Sequence, residues 1–306
     1  MKVIVAGLGV QGYKRRAYAS SNCVASVDPV NLEADYRDIG DIPLRDYDGV
    51  LACVPDEPKL SVIRYALSNR KHVLVEKPLW TMHDEQIIEL ERLAQQNNVV
   101  CYTAYNHRFE PHFIRMRDLI VSGELGRIYS CRLFYGNGTA RLVSNSLWRD
   151  KGAGVLADLG SHLLDTCSFW FDIDLESFSL VSAHTFENRA LDHAVVSSEH
   201  LEPRIELEMT LCMWRNHFTC DVLGEKGTAH IESLCKWGPS TFIHRTRVFP
   251  SGRPIEQRIE LVQDDPTWAQ EYLHFENLAE TNATTDLSQD LNLQRNLRRL
   301  WAEATQ

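Results

Sequence analysis

No stretch of this chain carries the ~20 consecutive apolar residues that a bilayer-spanning helix requires. Nor does it open on a basic segment followed by an apolar signal core; it opens on Val3-Ile4-Val5-Ala6, a strand pattern. Positive charge is scarce. The 32 lysines and arginines face 42 aspartates and glutamates, and the formal net charge of −10 is the wrong sign for a nucleic-acid face. The eight cysteines include no Cys-x-x-Cys pair, so the usual zinc and dithiol motifs are missing. Most sit in apolar segments, where a thiol acts as a small hydrophobe. Together these absences predict a cytoplasmic protein of a reducing compartment, with neither membrane nor nucleic acid as partner. There is also no internal repeat and no low-complexity tract.

What is present is ordinary globular composition, 44% apolar and 24% charged over 306 residues, enough for two domains with separate cores. The expected division is 1–105 and 106–306. In the first part, a short strand runs into Gly7-Leu8-Gly9-Val10-Gln11-Gly12, followed by a helix to Ala19, a second strand at Val24–Val27, and Asp28. This is Gly-x-Gly-x-x-Gly between strand and helix, with an acid 21 residues after the first glycine. Gly7 permits a tight turn, Gly9 lets a pyrophosphate approach the backbone, and Gly12 lets the helix lie close to the strand. The helix start offers amides and a positive dipole end to phosphates. Asp28 would accept the ribose hydroxyls and repel a 2′-phosphate, which favours NAD, with NADP possible. Arg15 and Arg16 would help NADP if they faced the ligand; they are read here as a solvated helix face.

Further strands, at Gly49–Val54 and in the run His72 to Pro78 where four strand-like residues deliver Lys77, alternate with helices near Lys59–Ser68 and Met82–Gln96, and a last strand covers Val99–Tyr102. The alternation predicts a parallel sheet with right-handed crossovers. Ligands in such sheets bind past the carboxyl ends of the strands. Gly7 to Gly12, Asp28, Val54-Pro55 and Glu76-Lys77 all fall at such ends. Between Asp28 and Gly49 the chain contains Pro29, Gly40 and Pro43 and no amphipathic helix, so that crossover is expected to be a loop or single turn. Lys77 is the most telling residue. A lysine aimed by Pro78 from a buried strand end is an odd structural choice and a good proton carrier, because partial desolvation lowers an ammonium pKa.

In the second part, Trp148-Arg149 leads into Gly152 to Asp165. The pattern from Val155 to Trp170 is helical, and Asp158, His162 and Asp165 at i, i+4 and i+7 share one face. Polar groups in line on a buried helix need partners or a ligand. Three readings are open: a substrate hydroxyl bound by Asp158 and His162 beside Lys77, a divalent ion, or a structural pair. No other acidic cluster supports the ion, and no metal is assigned. Strand patterns at Ile128–Tyr135, Ser177–Phe186, His193–Ser198, Arg204–Met213, Phe218–Leu223 and Thr228–Glu232 predict an antiparallel sheet with one apolar face. Gly224-Glu225-Lys226-Gly227 reads as a hairpin turn, Pro250 to Pro254 as a loop, and two helices near Trp268–Glu280 and Leu287–Ala304 end the chain.

These motifs resemble the glucose–fructose oxidoreductase, inositol dehydrogenase and rhizopine-catabolism (Gfo/Idh/MocA) family. The resemblance rests on the glycine motif, Lys71 to Pro78, Tyr105-Asn106-His107-Arg108-Phe109, Trp148-Arg149, Gly-x-Gly-x-Leu-x-Asp-x-Gly-x-His-x-x-Asp over 152–165, and Leu223 to Thr228. It implies a Rossmann dinucleotide-binding domain followed by an α/β (α+β) domain with a large, open, mostly antiparallel sheet. It implies NAD(P)-dependent oxidation of a sugar or polyol hydroxyl, or the reverse reduction, in a homodimer or homotetramer. By the resemblance Lys77 is the catalytic lysine, Asp158 and His162 are its partners, and Glu76 and Asn106 lie near cofactor and substrate. Trp148 and Arg149 join the substrate contacts, and Leu8, Val10, Gln11, Val54 and Pro55 the cofactor contacts. A histidine common in the family is Lys59 here, so contacts on the nicotinamide side are expected to differ. Two other classes fit the same motifs: a redox-neutral NAD-dependent glycosidase or lyase, and a non-catalytic NAD(P)-binding sensor.

Overall fold

The computed structural model describes residues 1–146, 149–171, 173–198 and 202–305. By contact the chain divides into two units, 1–106 with 267–294, and 107–266 with 295–306.

In the first unit β1 (Val3–Ala6), α1 (Val10–Ala19), β2 (Cys23–Val27), β3 (Gly49–Ala52), α2 (Asp56–Ser68), β4 (His72–Glu76), α3 (Asp84–Asn97) and β5 (Cys101–Ala104) alternate. The strands form one parallel sheet in the order β2-β1-β3-β4-β5. Side chains of a strand alternate between faces. Ile4, Val50 and Val73 therefore pack with Ile63, Leu67, Ile87 and Leu90 of α2 and α3. Val3, Val5, Leu51 and Leu74 pack on the opposite face. A parallel sheet must be covered on both faces. The crossover after β2 supplies little cover: it holds only short 3-10 turns at Ile39–Asp41 and Leu44–Asp46, as its prolines and glycine predict. The second face is instead completed by Tyr272 and Phe275, which join Leu8 and Ala19 in the core there. This explains why residues 267–294 group with the first unit, whereas the division expected from sequence assigns them to 106–306.

The second unit contains α4 (Pro111–Val121), β6 (Ile128–Gly136), α5 (Ala140–Ser144), a π-helical turn Leu156–Gly160, α6 (Ser161–Trp170), β7 (Ser179–His184), β8 (His193–Ser197), β9 (Arg204–Thr210), β10 (His217–Gly224), β11 (Gly227–Glu232), β12 (Ser240–Thr246) and β13 (Ile255–Leu261). Its eight-stranded sheet runs β13-β12-β11-β10-β6-β9-β8-β7 and is antiparallel except for the β6–β9 pair. The two-residue turn Glu225-Lys226 joins β10 to β11 as expected. Cys131, Leu133, Ile205, Leu207, Phe218 and Cys220 are buried on one face. Phe113 of α4 centres that core, with ring centroids 5.0 Å from Trp170 and 5.1 Å from Phe218. The other face is polar and stitched by the cross-strand ion pairs Arg132–Glu206 and Arg245–Glu256 and by a hydrogen bond between His230 and Asp221. β12 and β13 were not anticipated. β13 is an edge strand, mostly exposed, and charged residues blunt such edges at the cost of a readable alternation.

The chain ends in α7 (Thr267–Glu280) and α8 (Ser288–Ala304). No described helix is long and apolar enough to cross a membrane. The cysteines are free thiols.

Candidate active site

The glycine turn is built as its spacing requires. Gly7 has φ +90, and a Cβ there would lie 2.5 Å from the Cys53 carbonyl oxygen. A Cβ on Gly12 would lie 1.9 Å from the Gly7 carbonyl oxygen, so α1 can approach the turn only with glycine at that place. Gly9 is different: nothing lies within 4 Å of a Cβ placed on it, and it starts α1 in extended conformation with no side-chain cap. That uncapped helix start beside open space is what a pyrophosphate needs. The contrast gives a first prediction. Gly12→Ala is expected to lose about 1–3 kcal/mol or more in denaturant unfolding, because backbone is in the way. Gly9→Val is expected to keep wild-type stability and to weaken NAD binding about tenfold or more, through lost amide–phosphate hydrogen bonds. Equal NAD affinity in Gly9→Val would remove the turn as the phosphate site.

Asp28 closes the adenosine side. Its Oδ2 accepts from the Leu8 amide at 2.8 Å and its Oδ1 from the amides of Val30 and Asn31 at 2.8 Å each. Partial burial works against its charge, but these three amides and Arg37 outweigh it and hold the carboxyl below its usual range. Asp28 is therefore tied to the glycine turn and fully ionised at neutral pH. The Arg37 guanidinium donates to the carbonyls of Asp28 and Asn31.

Glu76 ends β4 and Lys77 follows, joined to Pro78 by a cis peptide. Two cations brace this strand end, and neither role was anticipated. Arg15 is 1% exposed, which overturns its reading as part of a solvated helix face. Its Nε donates to Glu76 Oε1 at 2.7 Å and its Nη2 to Glu271 Oε2 at 2.6 Å. Its guanidinium lies 4.3 Å from the Trp268 ring centroid. Burial opposes the charge on Arg15, yet the two glutamates prevail and raise its pKa further. Lys59, 3% exposed, donates from Nζ to Asp56 Oδ1 at 2.6 Å and to the Pro78 carbonyl at 2.9 Å. The lysine that stands in place of the family's histidine thus holds the backbone next to Lys77. Asn106, 7% exposed, donates to Thr267 Oγ1 at 2.8 Å. Thr267 is the first residue of α7. Val54 and Pro55 lie between β3 and α2, since β3 ends at Ala52 and not at Val54.

In the second unit the helix expected from Val155 begins instead with the π-helical turn, and α6 starts at Ser161. The extra residue per turn breaks the i, i+4, i+7 line. Asp165, 1% exposed, stays three residues from His162 within α6 but no longer lines up with Asp158, and it takes a bidentate pairing with Arg108. Burial raises its carboxyl pKa, and the guanidinium pulls the other way. Asp158 stays part-exposed with Arg149 Nη2 3.7 Å away. His162 is 8% exposed, its ring stacked on that of His107 at 4.0 Å between centroids and 18° between planes. Tyr135 lies beside both imidazoles, 5.5 Å from His107 and 6.3 Å from His162. Lys236 Nζ is 3.2 Å from Tyr135 Oη and 3.4 Å from His107 Nε2. Lys236 and Tyr135 belong to no sequence motif, and His107 stands only within the run Tyr105 to Phe109. No signal in sequence separates this lysine from any surface lysine. Trp148 lies outside the described residues. Among the described residues no group of three or more His, Cys, Asp or Glu side chains is placed to hold a metal ion.

Two family models match the chain. The first, described as oxidoreductase family, NAD-binding Rossmann fold, covers 3–105, and the GFO/IDH/MocA C-terminal domain covers 113–230. Glucose-6-phosphate 3-dehydrogenase of Bacillus subtilis is 32% identical over 114 residues, 36% of this chain and 32% of that protein. An uncharacterized oxidoreductase of Synechocystis is 28% identical over 216 residues, 63% of this chain and 57% of that protein. The match thus spans from about a third to somewhat over half the length of these curated relatives. Among solved structures, levoglucosan dehydrogenase in complex with NADH superposes with TM-score 0.80 at 16% identity, covering 99% of this chain and 97% of that one. A putative myo-inositol dehydrogenase from Sinorhizobium meliloti gives 0.77 at 17%, covering 99% and 98%. At such identities the likeness is one of fold.

Proposed function

The chain belongs to the Gfo/Idh/MocA family of oxidoreductases and carries its NAD-binding Rossmann domain, and from that premise we propose that it oxidises a carbinol carbon of a sugar or polyol, or reduces the matching ketone. The observation that carries the reading is the position of Lys77. It follows the carboxyl end of β4, in the sheet whose β1 delivers the glycine turn and whose β2 delivers Asp28. Strand order reverses between β1 and β3, and ligands of such sheets bind where it does.

NAD, when bound, supplies the hydride acceptor; Gly7 to Gly12 would hold its pyrophosphate and Asp28 its adenosine ribose. The substrate hydroxyl must lose its proton as the hydride leaves. Lys77 or His162 takes that proton, a service worth roughly 10²–10⁴ in rate. Lys59 and Arg15 restrict the backbone and the neighbouring side chain from which Lys77 works. Asp158 orients the substrate. The names of relatives point to sugar and cyclitol chemistry: one is a glucose-6-phosphate 3-dehydrogenase, and another, from Bacillus subtilis, a scyllo-inositol 2-dehydrogenase (NADP(+)). The functional unit is a homodimer or homotetramer. The test is absorbance of reduced nicotinamide with NAD and NADP against sugars, polyols and sugar derivatives. Appearance of the band with one substrate class is the expected result. Product formation without net reduction would replace it with the redox-neutral lyase, and cofactor binding without any product would replace it with a sensor.

A further inference from the structure

We propose that the substrate carries an anionic group, a carboxylate or a phosphate, and that Lys236 binds it. The inference rests on the sugar or polyol reading above and adds the charge of the molecule. Lys236 belongs to the short turn Cys235–Trp237 that follows β11. It is half-buried and forms no ion pair with a described residue. Its neighbours solvate the ammonium without cancelling it: the Tyr135 hydroxyl at 3.2 Å, His107 Nε2 at 3.4 Å, and the ring of Trp237 at 4.8 Å.

Two acids face the same turn, and neither forms an ion pair with Lys236: Asp265, whose Oδ1 lies 3.9 Å from the Cys235 thiol, and Glu110. Glu110, 1% exposed, accepts from the Cys235 amide with Oε1 at 3.1 Å and from the Cys235 thiol with Oε2 at 2.9 Å. Burial raises its pKa, while the Cys235 hydrogen bonds and, more weakly, the Lys236 charge pull the other way. A half-buried ammonium without a carboxylate is costly unless something else meets it.

The donors point the same way. An ammonium has three N–H bonds. One reaches Tyr135 Oη and a second is within reach of His107 Nε2, so the third is left for a ligand. With its oxygen accepting from Lys236, the Tyr135 phenol has its own proton to donate. Together they offer a charged donor and a neutral one to a single anion, the combination that makes charge-assisted hydrogen bonds strong. Placement fits as well. Lys236 stands one imidazole away from His162, because His107 is stacked on His162. An anion at Lys236 would therefore sit a few atoms along the substrate from the hydroxyl at His162.

The experiment is calorimetric titration of the NADH-loaded protein with glucose 6-phosphate, glucuronate and glucose, repeated with Lys236→Met and Lys236→Arg. Expected is a 10- to 100-fold tighter Kd for at least one charged sugar than for glucose. Lys236→Met should abolish that preference and Lys236→Arg keep part of it. Preference for glucose 6-phosphate alone, or for glucuronate alone, identifies the anion as phosphate or carboxylate. Should Lys236→Met fail to fold, Lys236→Gln replaces it, and the wild-type preference is read without any variant. Glucose bound as tightly as both charged sugars overturns the inference and leaves the proposed oxidation standing, as does a preference that survives loss of Lys236. Binding of none of the three also overturns the inference, and the oxidation is then judged by the absorbance test alone.

Discussion

Lys77→Ala is expected to lower turnover about 10³-fold while leaving the affinity for NADH within a few-fold of wild type. The split follows from position. The phosphate-binding turn belongs to β1 and α1, and Lys77 lies past β4, two strands away in the sheet. Removing its side chain takes away a proton carrier and leaves the turn untouched. Lys77→Arg separates proton transfer from simple charge. A guanidinium is never deprotonated in a protein, so it reproduces the charge without the chemistry. Arginine should therefore be as inactive as alanine, read as kcat in stopped-flow absorbance. Recovery with arginine would make Lys77 an electrostatic clamp, and an alanine variant within tenfold of wild type would take the lysine out of the proton path altogether.

Arg15→Met is expected to cost about 3–5 kcal/mol of unfolding free energy, measured by urea titration. Methionine matches much of the volume and can still pack on Trp268. What it cannot do is meet the charges of Glu76 and Glu271, whose side chains are 13% and 0% exposed. An uncompensated buried carboxylate is the reason such losses are large. The same reasoning predicts rescue: adding Glu271→Leu to Arg15→Met should return part of the loss, because one of the two acids that faced the guanidinium goes with it. A loss under 1 kcal/mol would mean that water reaches the two acids when the guanidinium is gone. Turnover should fall together with stability, since Glu76 is covalently next to Lys77 and Arg15 is its partner.

How well the chain could be read in advance depended on the range of the interaction behind each feature. The glycine turn is a local steric problem. Gly7 and Gly12 are glycine because the nearest obstacles are carbonyl oxygens that any side chain would strike, and strand, turn and helix lie within twenty residues of one another. Asp28 is legible for the same reason: its spacing from the turn matches a bond to the Leu8 amide. The helix-poor crossover follows from its prolines and glycine. Asp165 marks where pattern alone misleads. Regular helix geometry puts it in line with Asp158 and His162, but a π-helical turn shifts the register, and Arg108, 57 residues away, claims the carboxylate.

By itself, then, the sequence determined the alternating sheet, the phosphate turn, the acid beside it and the lysine past β4, because periodicity and short spacings encode them directly. Only the tertiary structure decided that Arg15 is a buried hub, that Lys59 holds the Pro78 carbonyl, that Tyr272 and Phe275 complete the first core, and that Tyr135 and Lys236 gather around the His107 ring stacked on His162. The partners of Arg15 lie 61 and 256 residues away, and Lys236 is 101 residues from Tyr135. A lysine or arginine costs little when solvated and a great deal when buried alone. Which of the two applies depends on what folding brings to it from elsewhere in the chain, and no local pattern records that.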